Sequence, residues 1–217
     1  MRERVTTKSF SDLVKNTDIH IDVSYKKNDF LFKESEHADG IYYIAEGKVK
    51  ILKHANVECP VILHIAKEGE LLGVQAVIDN MPHANSAIAM DEVKTFFIPG
   101  REFIETINKN TDMKLLIMQS LCIRIDRIEN QISSRSEKSA NQRFAEVLTF
   151  LAKDYGLSKD NILNIDLSLE EMASLAGTSK NYLTKIILEF AHNGWIMNEQ
   201  GHFKILQMPQ LEEMARA

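Results

Sequence analysis

Ser168-Leu169-Glu170-Glu171-Met172-Ala173-Ser174-Leu175-Ala176-Gly177-Thr178-Ser179-Lys180-Asn181-Tyr182-Leu183-Thr184-Lys185-Ile186-Ile187-Leu188-Glu189-Phe190-Ala191-His192 reads as two short helices about a glycine. Ser168 followed by Glu171 is a capping-box signature, in which each side chain satisfies an orphan N–H of the first helical turn. Met172 and Leu175 then share a face, and the small Ala173 lets a second helix approach closely. Gly177 is the residue type that takes a left-handed conformation past a helix end without strain. Ser179 is placed to cap a second helix, along which Leu183, Ile186, Ile187 and Phe190 recur at helical spacing. This is the pattern of a helix-turn-helix, whose second helix lies in the DNA major groove and reads bases from its N-terminal residues. The outward side chains there are Lys180, Asn181, Thr184 and Lys185, all hydrogen-bond donors with no acid among them. An αα-hairpin in a helical protein would share the glycine turn; the residues that follow argue against it.

Asn193-Gly194 closes the second helix, and Trp195-Ile196-Met197 and His202-Phe203-Lys204-Ile205 flank the turn Asn198-Glu199-Gln200-Gly201. Two short strands about a Gly-containing turn make a hairpin, the wing that accompanies many such DNA-binding domains. The succession Leu169-x-x-Met172-Ala173-x-x-Ala176-Gly177-x-Ser179-Lys180-x-x-Leu183-x-Lys185, then Gly194 and Ile196, resembles the winged helix of the Crp/Fnr regulators. Upstream, Ser139 with Gln142 is a second capping box, opening a helix through Phe144, Val147, Leu148 and Leu151 to Gly156. Residues 206–217 read as a short terminal helix.

From Ile19 to about Ile98 the pattern changes to short alternating or apolar runs: Asp29–Phe32, Gly40–Ile44, Gly47–Leu52, Val61–Ile65 and Thr95–Ile98. Turns fall at Glu46-Gly47 and at Lys67-Glu68-Gly69-Glu70. Strands at this spacing predict an antiparallel β-roll, or jelly roll. Residues 1–18, with Phe10, Leu13 and Val14 as a weak apolar face, predict a short leading helix. The roll resembles the cyclic-nucleotide-binding domain of the same family. Members that bind the nucleotide carry Phe-Gly-Glu-Leu and then Pro-Arg-Ser/Ala-Ala, with Glu on the ribose hydroxyl and Arg on the cyclic phosphate. Here Leu72-Gly73-Val74-Gln75 and Pro82-His83-Ala84-Asn85 stand in those places, so the resemblance implies a degenerate effector pocket at Gly73, Val74, His83 and Asn85. Losing the Arg–phosphate pair and the ribose acceptor together costs several kcal/mol, which argues against cyclic AMP.

Residues 111–135 read as a long helix on which Met118, Leu121, Ile125, Ile128, Ile132 and Arg135 alternate steps of three and four, the seam of a coiled coil. Leu115, Leu116 and Ile117 are expected to pack on the roll. The family resemblance makes this the dimerisation helix, and two recognition helices then read half-sites one DNA turn apart. The polar run Ser133–Ser139 is expected to be the hinge. The expected architecture is α+β: a sensor roll over 1–110, dimerisation helix and hinge over 111–137, and a winged helix-turn-helix over 138–217.

Composition sets the remaining bounds. Hydrophobic content is 44%, with no run of eighteen apolar residues and no signal-peptide pattern, so a cytoplasmic protein with no membrane part is expected. The net charge of −5 is awkward for a DNA-binder, and residues 137–217 hold eight Lys/Arg against eleven Asp/Glu. Phosphate binding needs a local basic face, which the segment Thr178–Leu188 supplies. Two cysteines, Cys59 and Cys122, are too few and too far apart for an iron–sulfur cluster. Cys59 beside Pro60 could serve as a redox switch or be an inert apolar residue. Haem on one of His20, His37, His54, His64 or His83 stays open, with no spacing that selects a pair.

No Gly-x-Ser-x-Gly, Walker A, His-Glu-x-x-His or Cys-x-x-Cys motif is present, and no enzymatic activity is expected. The alternative is a cupin-like β-roll holding a metal or haem without a DNA-binding role. The expected function is a homodimeric DNA-binding regulator that engages RNA polymerase. Lys180, Asn181 and Lys185 are expected to read bases, while Thr178, Ser179 and Thr184 anchor phosphates. Family members that read the common site carry Arg-Glu where Lys180 and Asn181 stand; Asn pairs bidentately with adenine, so a more A·T-tolerant half-site is expected.

Overall fold

The β-rich half follows from alternation along its strands. A computed structural model describes residues 20–54, 60–199 and 202–216 and divides the chain into two compact units between Arg127 and Ile128. The leading helix expected over 1–18, Cys59 and the wing tip at Gln200-Gly201 lie outside the described residues. In the first unit the strands are β1 (Ile21–Tyr25), β2 (Phe30–Phe32), β3 (Gly40–Glu46), β4 (Lys48–Lys53), β5 (Val61–Lys67), β6 (Leu71–Leu72), β7 (Ser86–Ala89) and β8 (Val93–Pro99). They form two antiparallel four-stranded sheets, ordered β1-β8-β3-β6 and β2-β7-β4-β5. Strand β3 shows why two layers form. Ile44 and Tyr42 join Leu31, Phe32, Val49 and Ile51 between the sheets, while Ile41 and Tyr43 join Ile98 and Phe103 in a second apolar cluster. Gly47 turns β3 into β4 at φ 91°, and a Cβ there would meet the Glu92 carbonyl at 2.6 Å, so both backbone and space require glycine.

Three helices complete this stretch: α1 (Val74–Asp79), α2 (Gly100–Lys109) and α3 (Thr111–Glu137). Helix α3 docks by Met113 and Ile117, with Leu116 packed beside them. Leu115, expected in that contact, is exposed instead. It lies two residues from both Met113 and Ile117, about 200° around the helix, and so points the opposite way. Met118, Leu121, Ile125, Ile128 and Ile132 form a stripe of side chains 37–64% exposed. The polar run Ser133–Ser139, expected to be the hinge, is helical over most of its length. The helix continues through Glu137, leaving only Lys138 and Ser139 outside a helix. Polar composition alone does not break a helix, and here the side chains find partners: Ser134 Oγ donates to Glu146 at 2.6 Å and Ser136 Oγ to the Ser133 carbonyl at 2.9 Å.

One buried base in the first unit makes stability pH-dependent. His64 on β5 is 12% exposed at its side chain. Burial first, then the nearby charges of Arg124 and Arg127, push its pKa down to about 3. Glu70 lies 3.9 Å away, too long for a hydrogen bond, and its charge also acts on Arg124. The folded pKa is below the ordinary 6.5, so the unfolded chain takes up the proton first as pH falls. The contribution is complete above about pH 6.5 and drains away towards pH 3. Between about pH 7 and 5 wild type is expected to lose about 2 kcal/mol more than His64→Gln, measured by urea unfolding at both pH values. Equal losses in the two proteins would show that His64 is protonated in the fold.

The second unit is built from α4 (Ala140–Tyr155), α5 (Leu169–Leu175), α6 (Lys180–His192), the antiparallel pair β9 (Ile196–Glu199) and β10 (His202–Ile205), and α7 (Met208–Arg216). Phe144, Leu148, Met172, Leu183, Ile186, Phe190 and Ile196 are fully enclosed. Both capping boxes form. Ser139 caps α4 with Gln142, and Ser168 caps α5 with Glu171. Bridges of Leu157 to Leu163 and of Ile162 to Lys204 tie the loop after α4 to the wing.

Candidate nucleic-acid interface

The turn between α5 and α6 sets everything on the interface. Gly177 takes φ 60°, and the Thr178 amide donates back to the Ala173 carbonyl at 3.0 Å. Arg143 of α4 locks the turn from behind, donating from Nε to the Ala176 carbonyl at 2.8 Å and from Nη2 to that of Gly177 at 3.1 Å. Its Nη1 donates to the Lys138 carbonyl at 2.6 Å. Sequence reasoning missed Arg143, because its partners are backbone carbonyls that leave no pattern. Ser179 caps α6, its Oγ accepting from the Tyr182 amide at 3.2 Å.

Helix α6 buries Leu183, Ile186, Ile187 and Phe190. Its other face exposes Ser179, Lys180, Asn181, Thr184 and Lys185, with Thr178 half-buried at the turn. Their hydrogen-bonding states differ. Thr184 Oγ1 donates to the Lys180 carbonyl at 3.0 Å, so its proton is committed and only its acceptor capacity faces outward. Lys180 Nζ is ion-paired with Glu170 Oε1 at 2.5 Å. The segment Thr178–Leu188 itself carries no acid, but Glu170, ten residues before Lys180 and on α5, sits beside the first turn of α6. Asn181 and Lys185 carry no side-chain partner among the described residues.

In the first unit, Gly73 precedes α1 at φ 81°, and a Cβ there would stand 3.4 Å from His83. His83 is buried and stacks on Phe32 with ring centroids 3.9 Å apart and planes 12° from parallel. Burial lowers its pKa, with Glu36 and Asp39 opposing. Its backbone pairs with Glu36 and Ser35. Val74 turns elsewhere, into the cluster of Ile41, Tyr43, Ile98 and Phe103. Asn85 is half-buried. The structure thus brings Gly73 and His83 together and leaves Val74 in an apolar core. Among the described residues no group of three or more His, Cys, Asp or Glu gathers as a metal site, and Cys122 is an exposed free thiol. No described helix is long and apolar enough to cross a membrane.

A helix-turn-helix with a wing, preceded by a β-roll and a long helix, defines a DNA-binding regulator of two-domain type. Residues 22–110 match the cyclic nucleotide-binding domain family and residues 142–214 the Crp-like helix-turn-helix domain family. The CRP-like cAMP-activated global transcriptional regulator of Mycobacterium tuberculosis is 28% identical over 196 residues, 89% of this chain and 88% of that protein. Among solved structures, a CRP/FNR-family transcriptional regulator from Thermus thermophilus superposes with a TM-score of 0.79 at 20% identity, covering 91% of this chain and 99% of that one. The c-di-GMP responsive global regulator CLP of Xanthomonas campestris gives 0.78 at 15% identity, over 91% and 98%. The chain belongs to the Crp/Fnr family of transcription regulators.

Proposed function

We propose that this regulator binds a two-fold symmetric DNA site as a homodimer, in the cytoplasm, acts on RNA polymerase and carries no enzymatic activity. Asn181 and Lys185, with Lys180, read bases, while Thr178 and Ser179 lie against the sugar-phosphate backbone and Thr184, its proton given to the Lys180 carbonyl, meets that backbone by van der Waals contact alone. The observation that carries this reading is the outward face of α6, where Asn181 and Lys185 stand exposed on a helix whose opposite face is packed. A helix serving only to fill a core needs no such donors at its N-terminus. Dimerisation through α3 is supported by the exposed stripe Met118, Leu121, Ile125, Ile128 and Ile132, with half-sites then spaced by the two-fold axis.

The roll does not take cyclic AMP in this reading. A cyclic phosphate wants a cation, and the cassette offers His83, kept neutral by burial and stacked on Phe32. Val74, where nucleotide-binding members have the ribose acceptor, is occupied in the apolar cluster. Relatives named for cyclic AMP and for c-di-GMP share this fold, so the fold alone does not choose a ligand.

Selection of binding sites from a random DNA pool with the ligand-free protein tests the function. The expected product is a two-fold symmetric motif with adenine facing Asn181, which can pair bidentately with its N6 and N7. A G·C-only core would overturn that assignment, and enrichment of an asymmetric single half-site would overturn the dimer. Isothermal titration with cyclic AMP is expected to give no heat; a saturable signal would overturn the reading of the cassette.

A further inference from the structure

Lys180 is the residue on α6 whose state the fold constrains most. Its ammonium is ion-paired with Glu170, and both side chains are about half exposed, at 52% and 57%. The neighbouring carboxylate cannot substitute. Glu171 Oε2 accepts from the Ser168 amide at 2.8 Å and is committed to the cap. Glu170 lies in the first turn of α5, where a negative charge suits the helix dipole, and its hydrogen bonds, first from Lys180 and then from its own backbone amide and the Ser168 side chain, lower its pKa so that it stays ionised.

We infer that Glu170 is a specificity-determining residue that works through Lys180, holding its ammonium away from phosphates and presenting it to a base edge in the major groove. This rests on the reading of Lys180 as a base contact. A lysine on its flexible four-carbon stem reaches any phosphate within range, which adds affinity without sequence information. The Glu170 tether removes that freedom. An ammonium has three N–H donors, so two remain for the acceptors O6 and N7 of guanine after one is given to Glu170. The carboxylate also repels a phosphate that approaches Lys180, whereas a neutral base edge meets no such repulsion. Discrimination then comes from a penalty on the wrong contact as well as from the right one.

The test measures dissociation constants of the full-length protein on its selected site and on a random-sequence duplex, across a salt series. Wild type, Glu170→Gln, Lys180→Ala and the double variant are compared. Glu170→Gln leaves the Ser168–Glu171 cap in place, and a thermal melt checks the fold. It is expected to tighten binding to random DNA about tenfold while changing the selected site by less than about threefold. The salt slope on random DNA should steepen by about 0.9, the signature of one added phosphate contact. In the Lys180→Ala background the same substitution should lose most of its effect on the ratio. Equal tightening on both duplexes, no change on either, or an effect undiminished without Lys180 would each overturn the inference. If Lys180→Ala leaves the ratio untouched, the base-contact reading itself has failed. If Lys180→Ala lowers the ratio and Glu170→Gln does nothing, only the role of Glu170 has failed.

Discussion

Phe144→Ala is expected to destabilise the DNA-binding unit by about 3–5 kcal/mol, a large part of what a small domain possesses. The ring is fully buried and joins three elements. It belongs to α4, packs on Phe190 of α6 at 5.6 Å between centroids, and meets Phe203 of β10 edge-on at 6.0 Å. Truncation therefore opens a cavity where recognition helix, supporting helix and wing converge, and also removes two aromatic contacts worth about 0.5–1.5 kcal/mol each. Trp195, the sole tryptophan of the chain, sits 5.0 Å from Phe190 and reports on this core. Urea unfolding followed by its fluorescence should show the midpoint fall sharply. Phe150→Ala, on the exposed side of the same helix, provides the contrast, with an expected loss under about 1 kcal/mol. A small effect at Phe144 would mean that the three elements hold together without its ring.

What could be read from the chain was local. Ser168 with Glu171 and Ser139 with Gln142 are three residues apart, and a cap is a contest between neighbours that distant packing leaves alone. Gly47 and Gly177 were legible for the same reason, since a backbone with positive φ names its own residue type. Strands β6 and β7, two and four residues long, are too short to show alternation. The serines after Ile132 looked like a linker, yet the partner of Ser134 is Glu146 on the next helix, and no composition rule encodes that.

The site divides along the same line. Exposure of Lys180, Asn181, Thr184 and Lys185 follows from the positions of Leu183, Ile186 and Ile187 on the opposite face. Their chemical states do not. Glu170 reaches Lys180 only because the Gly177 turn folds α5 across α6, and Thr184 spends its proton on its own helix. Likewise, His64 is an ordinary strand residue until α3 brings Arg124 and Arg127 into its field.

Ile125→Glu is expected to turn the protein into a monomer and to weaken binding to a two-half-site duplex by about 10²–10⁴-fold, the gain that linking two modules supplies without new contacts. The stripe on α3 is apolar at Met118, Leu121, Ile125, Ile128 and Ile132, and its side chains are 37–64% exposed in the single chain. Arg124, Asp126, Arg127 and Glu129 flank it, so the apolar face is narrow enough for one partner helix. In a two-fold arrangement a glutamate at position 125 enters the seam twice, once from each copy. A carboxylate buried without a partner costs several kcal/mol, and two like charges add repulsion. The roll and the winged helix keep their own cores, because Ile125 belongs to neither apolar cluster of the first unit. Sedimentation velocity should therefore show half the mass of wild type with an unchanged circular dichroism spectrum. Affinity for an isolated half-site should stay within about threefold, since α6 is untouched and only the coupling between two copies is lost. A variant that remains dimeric would assign the interface to another surface. A monomer that still binds the full site at wild-type strength would show that one winged helix suffices for recognition.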